Sequence, residues 1–173
     1  MYYLLIIIGV VSRLVPHPAN FTALGGLSVF AGHRFTLLKA AFLTLVVMVI
    51  SDIFLGFSPA TPYVYFGFAG YILLAHFLPK KWYILAGAPL LGSIWFFLIS
   101  NFGVWLGGWY PHTLAGLFAC FVAAIPFYRN TVLGDVAFTI AFFAIEAIYI
   151  KILATKKEGK WLGFSRVPIL TKK

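Results

Sequence analysis

The sequence predicts an all-α membrane protein of six transmembrane helices, with an extra outer-side or re-entrant helix near residues 113–127. Three observations carry that expectation. Apolar residues make up 62% of the 173-residue chain and its mean hydropathy is +1.00; a soluble fold of that composition would leave much apolar surface in water. Only 10% of residues are charged, and Lys plus Arg outnumber Asp plus Glu by 13 to 4. The cations also recur at every second gap between apolar stretches: Arg34 and Lys39, then Lys80 and Lys81, then the tail from Lys151 to Lys173. Basic loops stay on the cytoplasmic side of a polytopic protein. That rhythm implies an inner-membrane orientation with both termini cytoplasmic.

Helix 1 is expected over residues 2–14, ending before Pro16-His17-Pro18, whose prolines cannot continue it. Met1 to Val11 has no basic n-region and no small-x-small site after it, so it is expected to be mature structure and not a signal peptide. Helix 2 is expected from Thr22, after Asn20 as N-cap, to Gly32. Both fall short of the ~20 residues that cross a ~30 Å hydrocarbon core. Two explanations are open: an upstream start, or a short pair sheltered by neighbours. Longer helices are expected over 36–55, 63–78, 82–105 (kinked at Pro89) and 131–153. Residues 113–127 are apolar but reach only ~22 Å at 1.5 Å per residue. Counting them as a seventh span would put the basic tail opposite Arg34 and Lys80-Lys81, hence the re-entrant reading. Their two rows of small residues, Ala115-Ala119-Ala123 and Gly116-Cys120-Ala124, suit close helix packing. Residues 1–155 form the expected membrane domain and 156–173 a basic cytoplasmic tail, with Trp161 and Phe164 as interfacial anchors.

Composition also excludes several functions. The excess positive charge gathers beside an apolar segment, which fits anionic lipid headgroups, and no basic helix or aromatic-basic platform offers a nucleic-acid surface. One cysteine, Cys120, precludes an intrachain disulfide and reads as a small buried residue. The four histidines divide between the two sides, His33 and His76 inside and His17 and His112 outside, without metal-ligand spacing. No metal, cofactor, catalytic pair or phosphate loop is expected, and the chain is expected not to be an enzyme. No internal repeat is evident.

Once an orientation is adopted, the unusual polar residues fall on the outer side. Arg13, His17 and Asn20 flank the first outer loop and Asp52 ends helix 3. Tyr63 and Tyr65 begin helix 4. Asn101, Trp105, Trp109, Tyr110 and His112 surround the third loop, and Arg129, Asn130 and Asp135 open the last span. Ionisable groups at membrane depth are costly unless paired or facing a cavity. Plain pairing would account for Arg13 with Asp52 and for Arg129 with Asp135, and an aromatic belt for the tryptophans. Glu146, on the inner side, reads as a partner for Lys151 or a backbone group. Convergence of donors, acceptors and aromatic faces on one mouth favours a small-molecule pocket. The expected site is Arg13, His17, Asn20, Asp52, Tyr65, Asn101, Trp105, Arg129, Asn130 and Asp135.

Arg13-Leu14-Val15-Pro16-His17-Pro18-Ala19-Asn20-Phe21-Thr22 resembles the opening motif of an uncharacterised bacterial membrane family labelled as putative transport proteins. Ser51-Asp52, Ser100 to Trp105, Tyr110-Pro111 with Thr113 and Ala115-Gly116-Leu117, Ala124-Ile125-Pro126-Phe127 with Arg129-Asn130, and Gly134-Asp135 also resemble it. That family is similar in turn to the substrate-binding S components of energy-coupling factor (ECF) transporters. The likeness lies in helix count, size, a short second helix and the way the last helix begins. It implies an S-component-like bundle that binds a vitamin-like or corrinoid-like nutrient under the first loop, with the lipid bilayer as solvent and an ECF-type energising module as partner. S components dock on that module through alanines four apart on helix 1. Here Leu4 to Ser12 contains no such pair, which leaves solitary action open. The competing reading is a membrane-embedded enzyme or cofactor-binding protein using His17 and Asp52 on a lipid-soluble substrate.

Overall fold

A computed structural model describes residues 2–79 and 81–164, without the side chains of 82–85 and 156–164. Lys80 and residues 165–173 lie outside it, as do the side chains of the expected anchors Trp161 and Phe164. Six α-helices follow one another: α1 (Tyr2–Leu14), α2 (Leu24–Arg34), α3 (Leu37–Leu55), α4 (Thr61–Phe77), α5 (Trp82–Val104) and α6 (Leu114–Phe164). A five-residue π-helical turn, Trp105–Trp109, closes α5.

The shortest helix is the centre of the bundle. Every residue of α2 from Leu24 to His33 is buried, although 11 residues reach only ~16 Å. It packs on α3, α4, α5 and α6. Glycines make that possible. A Cβ on Gly26 would sit 2.6 Å from the Thr139 amide nitrogen of α6, and one on Gly32 would sit 2.5 Å from the Ile72 carbonyl oxygen of α4. Of the two explanations for the short helices, shelter therefore holds for α2. It does not hold for α1, whose Tyr3, Leu4, Ile7 and Val11 face outward.

The start of α2 differs from expectation. Asn20 is not its N-cap but a turn residue with φ of 65°, a left-handed conformation that asparagine tolerates. The helix begins four residues later. There the Ser12 hydroxyl of α1 accepts the Ala23 amide at 3.1 Å and the Thr22 hydroxyl accepts the Leu24 amide at 3.5 Å.

α3 is apolar on both faces. Ala40, Leu43, Val47, Met48 and Ser51 turn inward, while Leu38, Phe42, Leu45, Val49 and Ile53 turn outward at helical spacing. A helix apolar all round needs a core or a lipid solvent on each side. Among the described residues, three helical stretches are long and apolar enough to cross a membrane: Leu37–Leu55, Ala86–Trp109 and Leu114–Thr155. The chain is thus an all-α, six-helix bundle with apolar spans suited to membrane embedding.

The separate re-entrant helix near 113–127 does not exist. That segment is the first part of α6, which is continuous over 51 residues. Pro126 removes one backbone hydrogen bond but does not end the helix, because Phe127 to Thr131 contain no glycine or second proline to break it. The apolar stretch Leu114–Thr155 is 42 residues, ~63 Å at 1.5 Å per residue, about twice a hydrocarbon core. By length and composition the stretch is more than long enough for one crossing. Of its two small-residue rows, Gly116-Cys120-Ala124 is buried whereas Ala115, Ala119 and Ala123 face outward. The helix also runs on into the stretch expected to be a distinct tail.

Candidate functional site

Polar side chains gather at the two ends of the bundle. At one end Arg34 of α2 meets Glu146 of α6 (Nη2 to Oε2 2.6 Å, Nε to Oε2 2.8 Å) and lies 5.3 Å from the Phe143 ring centroid. Glu146 thus answers Arg34, and not Lys151 or a backbone group.

At the other end α1 and α3 finish, α4 begins and the loop between α1 and α2 turns back over them. Arg13, on the last turn of α1, holds Asp52 at 2.8 Å, with side chains 14% and 6% exposed. Its Nη1 also donates to the Ser51 hydroxyl and the Met48 carbonyl of α3. The Tyr65 hydroxyl is buried within electrostatic reach of this pair and forms no hydrogen bond of normal geometry.

Asp135 is the second buried carboxylate. It is 3% exposed and has no arginine beside it. Its Oδ2 accepts from the Tyr71 hydroxyl of α4 and, at 2.6 Å, from the Ser93 hydroxyl of α5. Its Oδ1 lies over Gly25 of α2, where any Cβ would collide with the carboxylate. The expected alternative of an Arg129–Asp135 bridge is not formed, and Arg129 is exposed.

Between these two groups lies a cavity of about 460 Å³, walled by Arg13, Val15, Pro16, His17, Asn20, Thr22, Leu55, Val64, Phe68, Phe96, Thr131 and Asp135. The size suits a small molecule. A second cavity of about 360 Å³ adjoins it through the shared walls Asn20, Val64, Phe96 and Thr131. It extends between α5 and α6 past Asn101, Tyr110 and Cys120. Loop 15–23 is the roof of the first and the edge of the second.

Four expected site residues (Arg13, His17, Asn20 and Asp135) line the first cavity, and Asn101 lines the second with Asn20. The other five have different places. Asp52 stands behind Arg13. Tyr65 lies beside that pair and outside both linings. Asn130 donates from Nδ2 to the Ala19 carbonyl at 3.0 Å, tying the roof to α6. Trp105 donates from Nε1 to the Pro111 carbonyl at 2.9 Å and bounds neither cavity. Arg129 faces outward.

His17 has Nδ1 2.8 Å from the Pro18 carbonyl and Nε2 3.4 Å from the Arg13 carbonyl. A carbonyl only accepts, so the shorter contact places a proton on Nδ1. His17 and Asp52, the pair an enzymatic reading would use, are each engaged by other partners. Among the described residues no group of three or more His, Cys, Asp or Glu could hold a metal ion.

A model of one protein family matches residues 1–156. The chain belongs to DUF6580, a family of unknown function. The match takes in all six helices up to the last apolar turns of α6, and so the whole of both cavities. No curated protein and no solved structure matches the chain significantly.

Sequence reasoning did not find Ser51, Phe68, Tyr71, Ser93, Phe96 or Thr131. Ser51 adjoins Asp52 in sequence, and its partnership with Arg13 was within reach of that pairing. Tyr71 and Ser93 gave no signal, since a hydroxyl inside an apolar helix usually bonds its own backbone; the single Ser93 proton is shared between Asp135 and the Pro89 carbonyl, 2.7 Å away.

Proposed function

We propose that this DUF6580 protein captures a small molecule from the outer side of the membrane, in a cavity under the α1–α2 loop, and passes it inward in the manner of an S component. One observation carries the reading: a cavity of about 460 Å³ sits at a polar end of an otherwise apolar bundle and is roofed by a loop rich in proline. Apolar walls with a few fixed polar groups are the usual make-up of a small-molecule site. The six-span topology with both termini cytoplasmic belongs to the same proposal, resting on the spacing of Arg34, Lys39, Lys80, Lys81 and the tail lysines. An ECF-type energising module is the proposed partner in one version and solitary action is the other.

Native mass spectrometry of gently purified protein tests the capture step. A co-purifying small molecule is expected on the wild type and none on Val64→Trp, whose indole would fill the wall shared by both cavities. An empty wild-type protein, from cells shown to express and insert it, refutes the reading. A reporter fused after Lys173 is expected to be active in the cytoplasm, and activity in the periplasm refutes the orientation.

A further inference from the structure

We propose that the larger cavity selects a small organic cation, whose ammonium group docks on Asp135 beside the rings of Phe68 and Phe96. The inference rests on the capture reading and adds the chemical class of the ligand. It starts from a buried acid that has no cationic partner among the described residues. A buried carboxylate is costly unless it is paired or fully hydrogen-bonded, and Asp52 meets that condition through Arg13. Asp135 does not. Two hydroxyls serve Oδ2, and among the described residues no cation is paired with either oxygen.

The charged and titratable groups of the surrounding elements leave it unpaired. α1 offers Arg13, which is committed to Asp52, Ser51 and Met48. The loop offers His17, whose Nδ1 is held by Pro18. α2 presents Gly25. α3 presents Asp52, a like charge. α4 and α5 present the hydroxyls of Tyr71 and Ser93, and Arg129 of α6 points away. The missing counter-charge is therefore one a ligand can bring.

The walls say what kind of cation. Phe68 and Phe96 line the cavity with Asp135 and stand 4.7 Å apart between ring centroids. Tyr71 stacks on Phe68 at 5.7 Å. Aromatic faces beside one carboxylate recognise ammonium groups by cation–π attraction. The wall carries a single carboxylate, and among the described residues no group of three or more His, Cys, Asp or Glu could hold a metal ion.

Two probes of nearly equal shape separate charge from fit: choline and its neutral isostere 3,3-dimethyl-1-butanol, each titrated into the purified full chain in detergent. Choline is expected to bind the wild type at least tenfold tighter than the isostere, and Asp135→Asn is expected to remove that preference. Should Asp135→Asn fail to fold, Phe96→Leu serves instead, with choline binding expected to weaken several-fold and the isostere little changed. Equal binding of the two probes, absence of choline binding, or an undiminished preference in the folded variants overturns the inference. The charge of any molecule retained in the native mass spectrum separates the two readings. A retained cation supports both, a retained neutral or anionic compound sinks this inference and leaves capture standing, and an empty protein removes both.

Discussion

Replacing Asp52 by leucine tests whether the pair with Arg13 holds α1 to α3. The guanidinium would keep the Ser51 hydroxyl and the Met48 carbonyl but lose its counter-charge at 2.8 Å, at a position where its side chain is only 14% exposed. Removing one partner of a buried pair costs about 3–5 kcal/mol, because the other charge stays uncompensated. Arg13 lines a cavity of about 460 Å³, so water can reach it, and the lower figure of about 3 kcal/mol applies. That is roughly a hundredfold in the folding equilibrium. The double variant Arg13→Met/Asp52→Leu removes both charges at similar volume and is expected within about 1 kcal/mol of wild type, since apolar replacements of buried pairs are often neutral. Unfolding in mixed micelles of rising SDS fraction, followed by tryptophan fluorescence, measures all three proteins. If Asp52→Leu costs under 1 kcal/mol, or if the double variant is no more stable than the single, the pair is not the clamp described.

Gly32→Ala places a Cβ 2.5 Å from the Ile72 carbonyl oxygen and is expected to cost ~1–3 kcal/mol by overpacking. Gly87→Ala, with nothing within 4 Å, is the control and is expected to be neutral or up to ~1 kcal/mol stabilising. The same micelle titration checks both. Glu146→Gln breaks the other ion pair, but Arg34 is 41% exposed there, so the loss is expected to be about 1 kcal/mol or less; a cost matching that of Asp52→Leu would contradict the burial argument. Cys120 is 2% exposed, so a bulky maleimide is expected to label it only after unfolding, with mass spectrometry as the readout. Rapid labelling of native protein would refute that packing.

The fold was legible where single residues force a choice. Pro16 and Pro18 end α1, Gly56 with φ of 89° ends α3, and Pro62 opens α4; those boundaries lie within two residues of expectation. Legibility failed where the deciding contact comes from another helix. Asn20 has every local quality of an N-cap, but it stands in a left-handed turn, and the hydroxyls of Ser12 of α1 and of Thr22 accept the amides at the start of α2. Pro126 has every local quality of a breaker, yet packing of Gly116, Cys120 and Ala124 on the bundle and an unbroken run after it keep α6 whole. The site divides the same way. Charge scarcity in an apolar chain is enough to single out Arg13, Asp52 and Asp135, because each must be answered by something. Which group answers depends on helix register: Arg13–Asp52 follows from both residues ending their helices at one side, whereas Tyr71 and Ser93 reach Asp135 from 64 and 42 residues away.

The position of the cavity follows from the shortness of α2. Gly25 lies against Asp135 and Arg34 against Glu146, so α2 runs parallel to that stretch of α6 and fills the bundle axis over only those 11 residues. Its neighbours are longer, with 19 residues in α3 and 23 in α5, about 28 Å and 34 Å at 1.5 Å per residue against ~16 Å for α2. More than 10 Å of axis above Leu24 therefore has no central helix. Side chains of the outer helices cannot close that gap without leaving their rotamers or drawing the helices together. Loop 15–23 covers it instead, with the cavity beneath. Asp135 lies level with Gly25, the second residue of α2, where that helix begins and the cavity starts. A buried acid at the floor of a roofed space is thus a consequence of an 11-residue helix at the centre of a bundle about twice as tall.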